Sequence, residues 1–159
     1  MSAERPPPPR RSDYAWHVPI TTRWMDNDVY GHVNNVVYYA FFDTVINRYL
    51  IERGGLDIHG GAIIGLAVET SCIFAGSVKF PDAIVAGLRV AQLGTSSVRY
   101  EVGIFVEGDD AARAHGKFTH VFVDRETRRP SAIEGTLRQA LEEILILPKV
   151  DATGKPGVR

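Results

Sequence analysis

The stretch Arg23-Trp24-Met25-Asp26-Asn27-Asp28-Val29-Tyr30-Gly31-His32-Val33-Asn34-Asn35 runs without a break into the apolar segment Val36 to Leu50. In that segment Tyr38, Phe42, Val45 and Tyr49 recur at helical spacing, and Phe41, Ile46 and Leu50 widen the stripe. A helix apolar over most of its circumference must be wrapped by other structure. Its first turn also leaves backbone N–H groups that no helical carbonyl can accept. The preceding run therefore brings carboxylates, an imidazole, a permissive glycine and two amides to a set of free donors.

Outward from this junction, Trp16, Val18, Ile20, Thr22 and Trp24 alternate within Tyr14 to Trp24, as in a strand with one buried face. Gly54-Gly55 ends the helix, because glycine accepts the left-handed geometry of a C-terminal cap. Strands are expected at Ala62 to Ala75, Ile84 to Leu93 and Ser97 to Val106. A fourth returns from about Ala112 to Val123 after the turn Glu107-Gly108-Asp109-Asp110. A second helix is expected over Ser131 to Ile146, with Leu137, Leu141 and Ile144 on one face. One strand, a long apolar helix, four consecutive strands and a short helix predict an α+β fold with an antiparallel sheet curved around the helix.

With 159 residues and 45% hydrophobic content, the chain suits one ordinary core. A net charge of −1 supplies no basic field for nucleic acid or an anionic membrane. Cys72, the only cysteine, excludes an internal disulfide and a paired-thiolate zinc site, and its apolar context predicts a buried strand position. Pro6 to Pro9 and Arg10-Arg11 predict a disordered tail over residues 1–13, followed by one domain over 14–147 and a second tail over 148–159. The longest apolar region, Ala62 to Val68, is short of the roughly 20 residues of a bilayer span, so the expected location is cytoplasmic.

The pattern Arg23-Trp24-x-Asp26-x-Asp28-x-x-Gly31-His32-Val33-Asn34-Asn35-x-x-Tyr38 resembles that of hotdog-fold acyl-CoA thioesterases of the 4-hydroxybenzoyl-CoA thioesterase-like family. Leu93 to Glu101 and Val123-Asp124-x-x-Thr127-x-Arg129-Pro130 are similar to two further family segments. The resemblance implies a five-stranded antiparallel sheet around a central helix, and a homodimer or homotetramer with active sites between subunits. It implies Asp28 as the catalytic carboxylate, and Gly31, Asn34 and Asn35 at the helix start that offers N–H groups to the thioester carbonyl. Thr95, Ser96, Ser97 and Arg99 fall in the segment that contacts CoA. Because the founding aromatic-acyl members lack the Gly-His-Val-Asn-Asn run, the resemblance is nearer to members acting on fatty or other acyl-CoAs.

Attack on a thioester makes its carbonyl oxygen anionic, and helix-terminal N–H donors stabilise that charge. Asp28 then serves either as a general base toward water or as a nucleophile that forms a mixed anhydride. Asp-x-Asp before a glycine is also ordinary turn and capping chemistry, and Asp26 is expected to fix the loop rather than react. His32 is open between orienting Asp28, contacting substrate and simple hydrogen bonding, while Asn34 and Asn35 combine capping with the oxyanion role. Tyr38, one turn into the helix, is a substrate contact or core. Arg125, Arg128 and Arg129 form a basic cluster that is either a phosphate site or a solvated turn. No metal-ligand spacing and no phosphate-binding glycine loop occurs, so no cofactor is expected beyond the CoA of the substrate. The alternatives are a dehydratase or hydratase acting on enoyl-CoA and a non-catalytic acyl-CoA binding protein, with carrier-protein thioesters also open as substrates.

Overall fold

The computed structural model describes residues 4–147. The elements are β1 (Trp16–Thr21), α1 (Asn35–Glu52), β2 (Ile63–Phe74), β3 (Ala83–Leu93), β4 (Ser97–Val106), β5 (Ala114–Asp124) and α2 (Gly135–Glu143), with 3-10 turns at Arg11–Asp13 and Trp24–Asp26. The strands form one sheet in the order β1-β3-β4-β5-β2, antiparallel throughout. This is the expected α+β hotdog arrangement, with α1 across the concave face.

The stripe read from the sequence is the one that packs: Tyr38, Phe41, Phe42, Val45, Ile46, Tyr49 and Leu50 are all buried against the sheet. The helix ends as its glycines dictate. Gly55 adopts the left-handed φ of 66°, and Leu56 N–H just past it donates back to Leu50 O at 3.0 Å, which closes the helix end. Gly54 is indispensable for a second reason, since a Cβ there would stand 2.6 Å from Leu50 O.

Several sequence expectations need correction. The strand foreseen over Tyr14 to Trp24 stops at Thr21, and Trp24 turns outward in the 3-10 turn instead of continuing the buried face. The helix foreseen over Ser131 to Ile146 is confined to Gly135–Glu143. Beyond it the chain lies along β3: Val90 N–H donates to Ile144 O and Ile146 N–H to Val90 O, both 2.8 Å, next to the irregularity between Val90 and Gln92. Strand pairing there prevails over helical periodicity. Cys72 is half-buried rather than buried, because it lies on β2, an edge strand of the sheet.

The tail expected over 1–13 is folded in its last residues. Arg10 pairs with Asp110 at 2.6 Å, Ala112 N–H donates to Pro9 O, and Arg11 donates to Asp109 O, so this segment clasps the β4–β5 hairpin. It delivers Tyr14 to the convex face, where Gly87 and Gly103 form the seat. A Cβ on either would come within 2.8 Å of the Tyr14 ring. The sequence offered no local signal for this clasp, which depends on two glycines far along the chain. The tail foreseen at 148–159 lies outside the described residues.

A polar ring is enclosed among the aromatic side chains of the core. His120 on β5 is 3% exposed, between the rings of Tyr100, Phe118 and Phe122 at centroid distances of 5.4, 5.0 and 5.8 Å. Its Nδ1 lies 3.3 Å from Tyr100 Oη. Burial pushes its pKa down to about 4, partly opposed by the Asp43 carboxylate. A depressed histidine pKa favours the fold above the unfolded value near 6.5, and that contribution is lost as pH falls toward 4. Urea denaturation should show stability declining by about 3 kcal/mol across this window from His120 alone, and His120→Leu should flatten the decline.

Candidate active site

The segment before α1 is a folded loop held at several points. Asp26 is fully buried and accepts from Arg23 N–H at 2.7 Å and from the Arg23 guanidinium at 3.0 and 2.9 Å. Its own carbonyl accepts from Asn34 N–H at 2.9 Å, which ties the turn to the helix start. Asn27 Oδ1 accepts from Phe80 N–H, and Val33 N–H donates to Val78 O at 2.8 Å. Asp26 is thus a structural anchor, as its expected role required.

Asp28 opens the next turn. Its N–H donates to His32 O at 2.9 Å and its carbonyl accepts from Gly31 N–H at 3.0 Å. Gly31 takes φ 81°, where a side chain would be strained, although nothing crowds the position of a Cβ. Asp28 Oδ1 accepts from Tyr30 N–H at 2.9 Å, which fixes the carboxylate, while Oδ2 accepts no hydrogen bond from the described residues. The turn chemistry and the reactive reading of Asp28 are therefore compatible, with one oxygen serving each.

At the helix start Asn34 is the cap. Its Oδ1 accepts from Val36 N–H at 3.1 Å, and Val37 N–H donates to Asn34 O at 3.0 Å. Asn34 N–H is already given to Asp26 O. Of the donors around the first turn, Asn35 N–H is left with no acceptor among the described residues. The sequence indicated that this helix start would offer free donors but not which one.

His32 and Asn35 face a cleft of about 310 Å³ whose opposite wall is Phe74 to Ser77, at the end of β2. That wall was not foreseen, since long-range contacts bring it to the helix start: the Tyr38–Phe74 ring contact, 5.1 Å between centroids, and the hydrogen bond from Val33 N–H to Val78 O just beyond it. Tyr38 is 2% exposed, and burial raises its pKa, so it stays a neutral phenol at the base of the cleft. His32 is exposed, and its side chain makes no hydrogen bond to the described residues. Trp24, Val29 and Tyr30, beside Asp28, are 79, 95 and 83% exposed.

Thr95, Ser96, Ser97 and Arg99 are not brought to this cleft. They lie at the β3–β4 turn and the start of β4, where Thr95 O accepts from Ile133 N–H and Ser96 O from Phe122 N–H. Ser97 is level with Val121 on β5, whereas the cleft end of β5 is Ala114, level with Phe74. Seven residues of strand, about 23 Å, separate them within one chain. Arg125 is committed to the fold, donating to Gly61 O and Ile58 O, while Arg128 and Arg129 are exposed.

The helix start is the most testable part of this geometry. Asn34→Ala should cost about 1 kcal/mol in urea denaturation through loss of the cap, and Asn34→Gly only a few tenths.

A family model described as the thioesterase-like superfamily matches residues 22–141. The PA5185 protein of Pseudomonas aeruginosa strain PAO1 is 58% identical, with 87% of this chain and 97% of that one covered and a TM-score of 0.86. YbaW, a probable thioesterase of Escherichia coli, is 25% identical over 80% of this chain and 97% of its own, with a TM-score of 0.68. Slr0204, a 1,4-dihydroxy-2-naphthoyl-CoA thioesterase of Synechocystis, shares the fold at 15% identity, covering 79% of this chain and 93% of its own, with a TM-score of 0.71. No curated protein sequence matches. With a five-stranded antiparallel sheet around a buried helix, and with a family match across most of its length, this chain belongs to the thioesterase-like superfamily of hotdog-fold thioester hydrolases.

Proposed function

We propose that the protein hydrolyses acyl-CoA thioesters, with Asp28 as the catalytic carboxylate and Asn35 N–H as the oxyanion donor. The observation that carries this reading is the uncommitted Asn35 N–H, opening on a cleft next to a turn that leaves Asp28 Oδ2 unbound. The thioester carbonyl oxygen would take the Asn35 donor, which stabilises the charge that develops on attack. As general base, Asp28 accepts a proton from water. The hydroxide adds to the carbonyl carbon, the C–S bond breaks, and CoA leaves as thiolate to be protonated by solvent. As nucleophile, Asp28 displaces the thiolate itself, and water then opens the mixed anhydride. Both routes use the same geometry. His32, at the cleft mouth, would contact the substrate, and Tyr38 would close the floor.

Asp28→Asn removes the basic oxygen and keeps the shape. Thiol release from acyl-CoAs should fall by at least about 10²-fold with denaturation unchanged. Undiminished release would remove Asp28 from the mechanism.

A second copy of the chain would complete the site. β2 is an edge strand of 12 residues with Leu66, Val68, Ile73 and Phe74 exposed, a long apolar edge of the kind that pairs with another chain. Antiparallel pairing of two β2 edges about a twofold axis sets opposite ends of the two sheets side by side. That arrangement would carry the partner's CoA-contacting segment, equivalent to Thr95 to Arg99, toward the cleft at His32 and Asn35. Sedimentation should give a homodimer or a homotetramer. Lysines at both Leu66 and Val68 should yield a monomer that has lost turnover with Asp28 intact, and an active monomer would refute the shared site.

A further inference from the structure

Helix α1 reaches β2 at the strand's last residue, where Tyr38 meets the Phe74 ring, but leaves the middle of that strand open. The register places Ala67 and Thr70 of β2 level with His120 and Phe118, on the face that carries α1, yet both are exposed while Phe118 and His120 are buried. A strip between α1 and β2 is therefore uncovered, with His120 along its floor. Gly65 keeps the strip clear, since a Cβ there would stand 3.3 Å from His120 Nδ1.

The polar atoms of the floor have a determinate arrangement. No buried side-chain nitrogen or oxygen lacks a partner among the described residues, and His120 Nε2 has none among them, so Nε2 reaches the open strip. Burial raises the Tyr100 phenol pKa, so its oxygen keeps its proton, and that proton has only His120 Nδ1 within reach. With Tyr100 donating to Nδ1, the neutral imidazole carries its hydrogen on Nε2. A donor thus projects from an aromatic floor into a strip bordered by Ala67 and Thr70 of β2, within electrostatic reach of the Asp43 carboxylate on α1. A plain hydrocarbon lying there would strip water from Nε2–H and return nothing.

We propose that His120 Nε2–H selects acyl groups bearing an acceptor oxygen, a ketone or hydroxyl, in the distal half of a long chain. This rests on the acyl-CoA hydrolase reading. The distal position follows from the strand: β5 runs six residues, about 20 Å, from Ala114 at the cleft end to His120. Tyr100 acts as a positioning residue that sets the tautomer.

The test is kcat/KM for thiol release from long-chain acyl-CoAs supplied as saturated, distal-oxo and distal-hydroxy forms of equal length. The wild-type protein should favour both oxygenated forms by about tenfold, and His120→Leu should bring all three to parity. Tyr100→Phe removes the group that holds the hydrogen on Nε2, so both tautomers become accessible. The oxo preference should shrink, because a ketone must now select the Nε2–H form, and the hydroxy preference should persist, because a hydroxyl pairs with either form. Equal wild-type rates for the three forms, or a preference that survives His120→Leu, would overturn the assignment while leaving the hydrolase intact, and an oxo preference unchanged in Tyr100→Phe would overturn the positioning role of Tyr100. Thiol release from no thioester would overturn the hydrolase reading and this inference with it. The wild-type comparison decides the matter even where a variant does not fold.

Discussion

The burial of α1 is the constraint on which the rest depends. Seven large side chains distributed around one helix cannot face water, and a five-stranded antiparallel sheet curving over them is the cover that this chain provides. Once the helix body is fixed by packing, its N-terminus is fixed as well. The direction of one N–H group then becomes a property of the whole core. A loop alone could not hold that direction, because a donor that stabilises developing charge must already be oriented when the reaction begins.

The loop before the helix divides its polar groups between holding and reacting. Asp26 is consumed by Arg23 and by the link to Asn34, and Asn27 by Phe80 N–H. Asp28 gives one oxygen to its own turn and keeps the other. The same division recurs at the cap, where Asn34 takes Val36 N–H and leaves Asn35 N–H. Neighbouring residues of the same type thus differ in role because hydrogen bonds, not composition, decide which atoms remain available.

Much of the fold was legible because its signals are local. The stripe from Tyr38 to Leu50, the Gly54-Gly55 stop and the hairpin at Glu107 to Asp110 each follow from a few adjacent residues, and each is present. What was illegible depends on distant partners. The clasp of Arg10 and Arg11 requires the β4–β5 hairpin, and the seat of Tyr14 requires Gly87 and Gly103. Ile144 leaves the helical pattern because Val90 offers backbone groups to pair with. At the site, Asp28 to Asn35 was readable as one unit, whereas the facing wall at Phe74 to Ser77 and the remoteness of Thr95 to Arg99 come from sheet order. Sheet order has no local code.

The central claim is that a single backbone donor at the start of α1 carries the charge of the reaction. Replacing the amide that joins Asn34 to Asn35 by an ester deletes that N–H, which has no acceptor among the described residues, and leaves every side chain in place. The kcat for thiol release should fall by about 10²- to 10³-fold, while stability falls only by the roughly 1 kcal/mol of the weaker ester carbonyl that Val37 N–H then meets. A kcat equal to that of the all-amide protein would contradict the account.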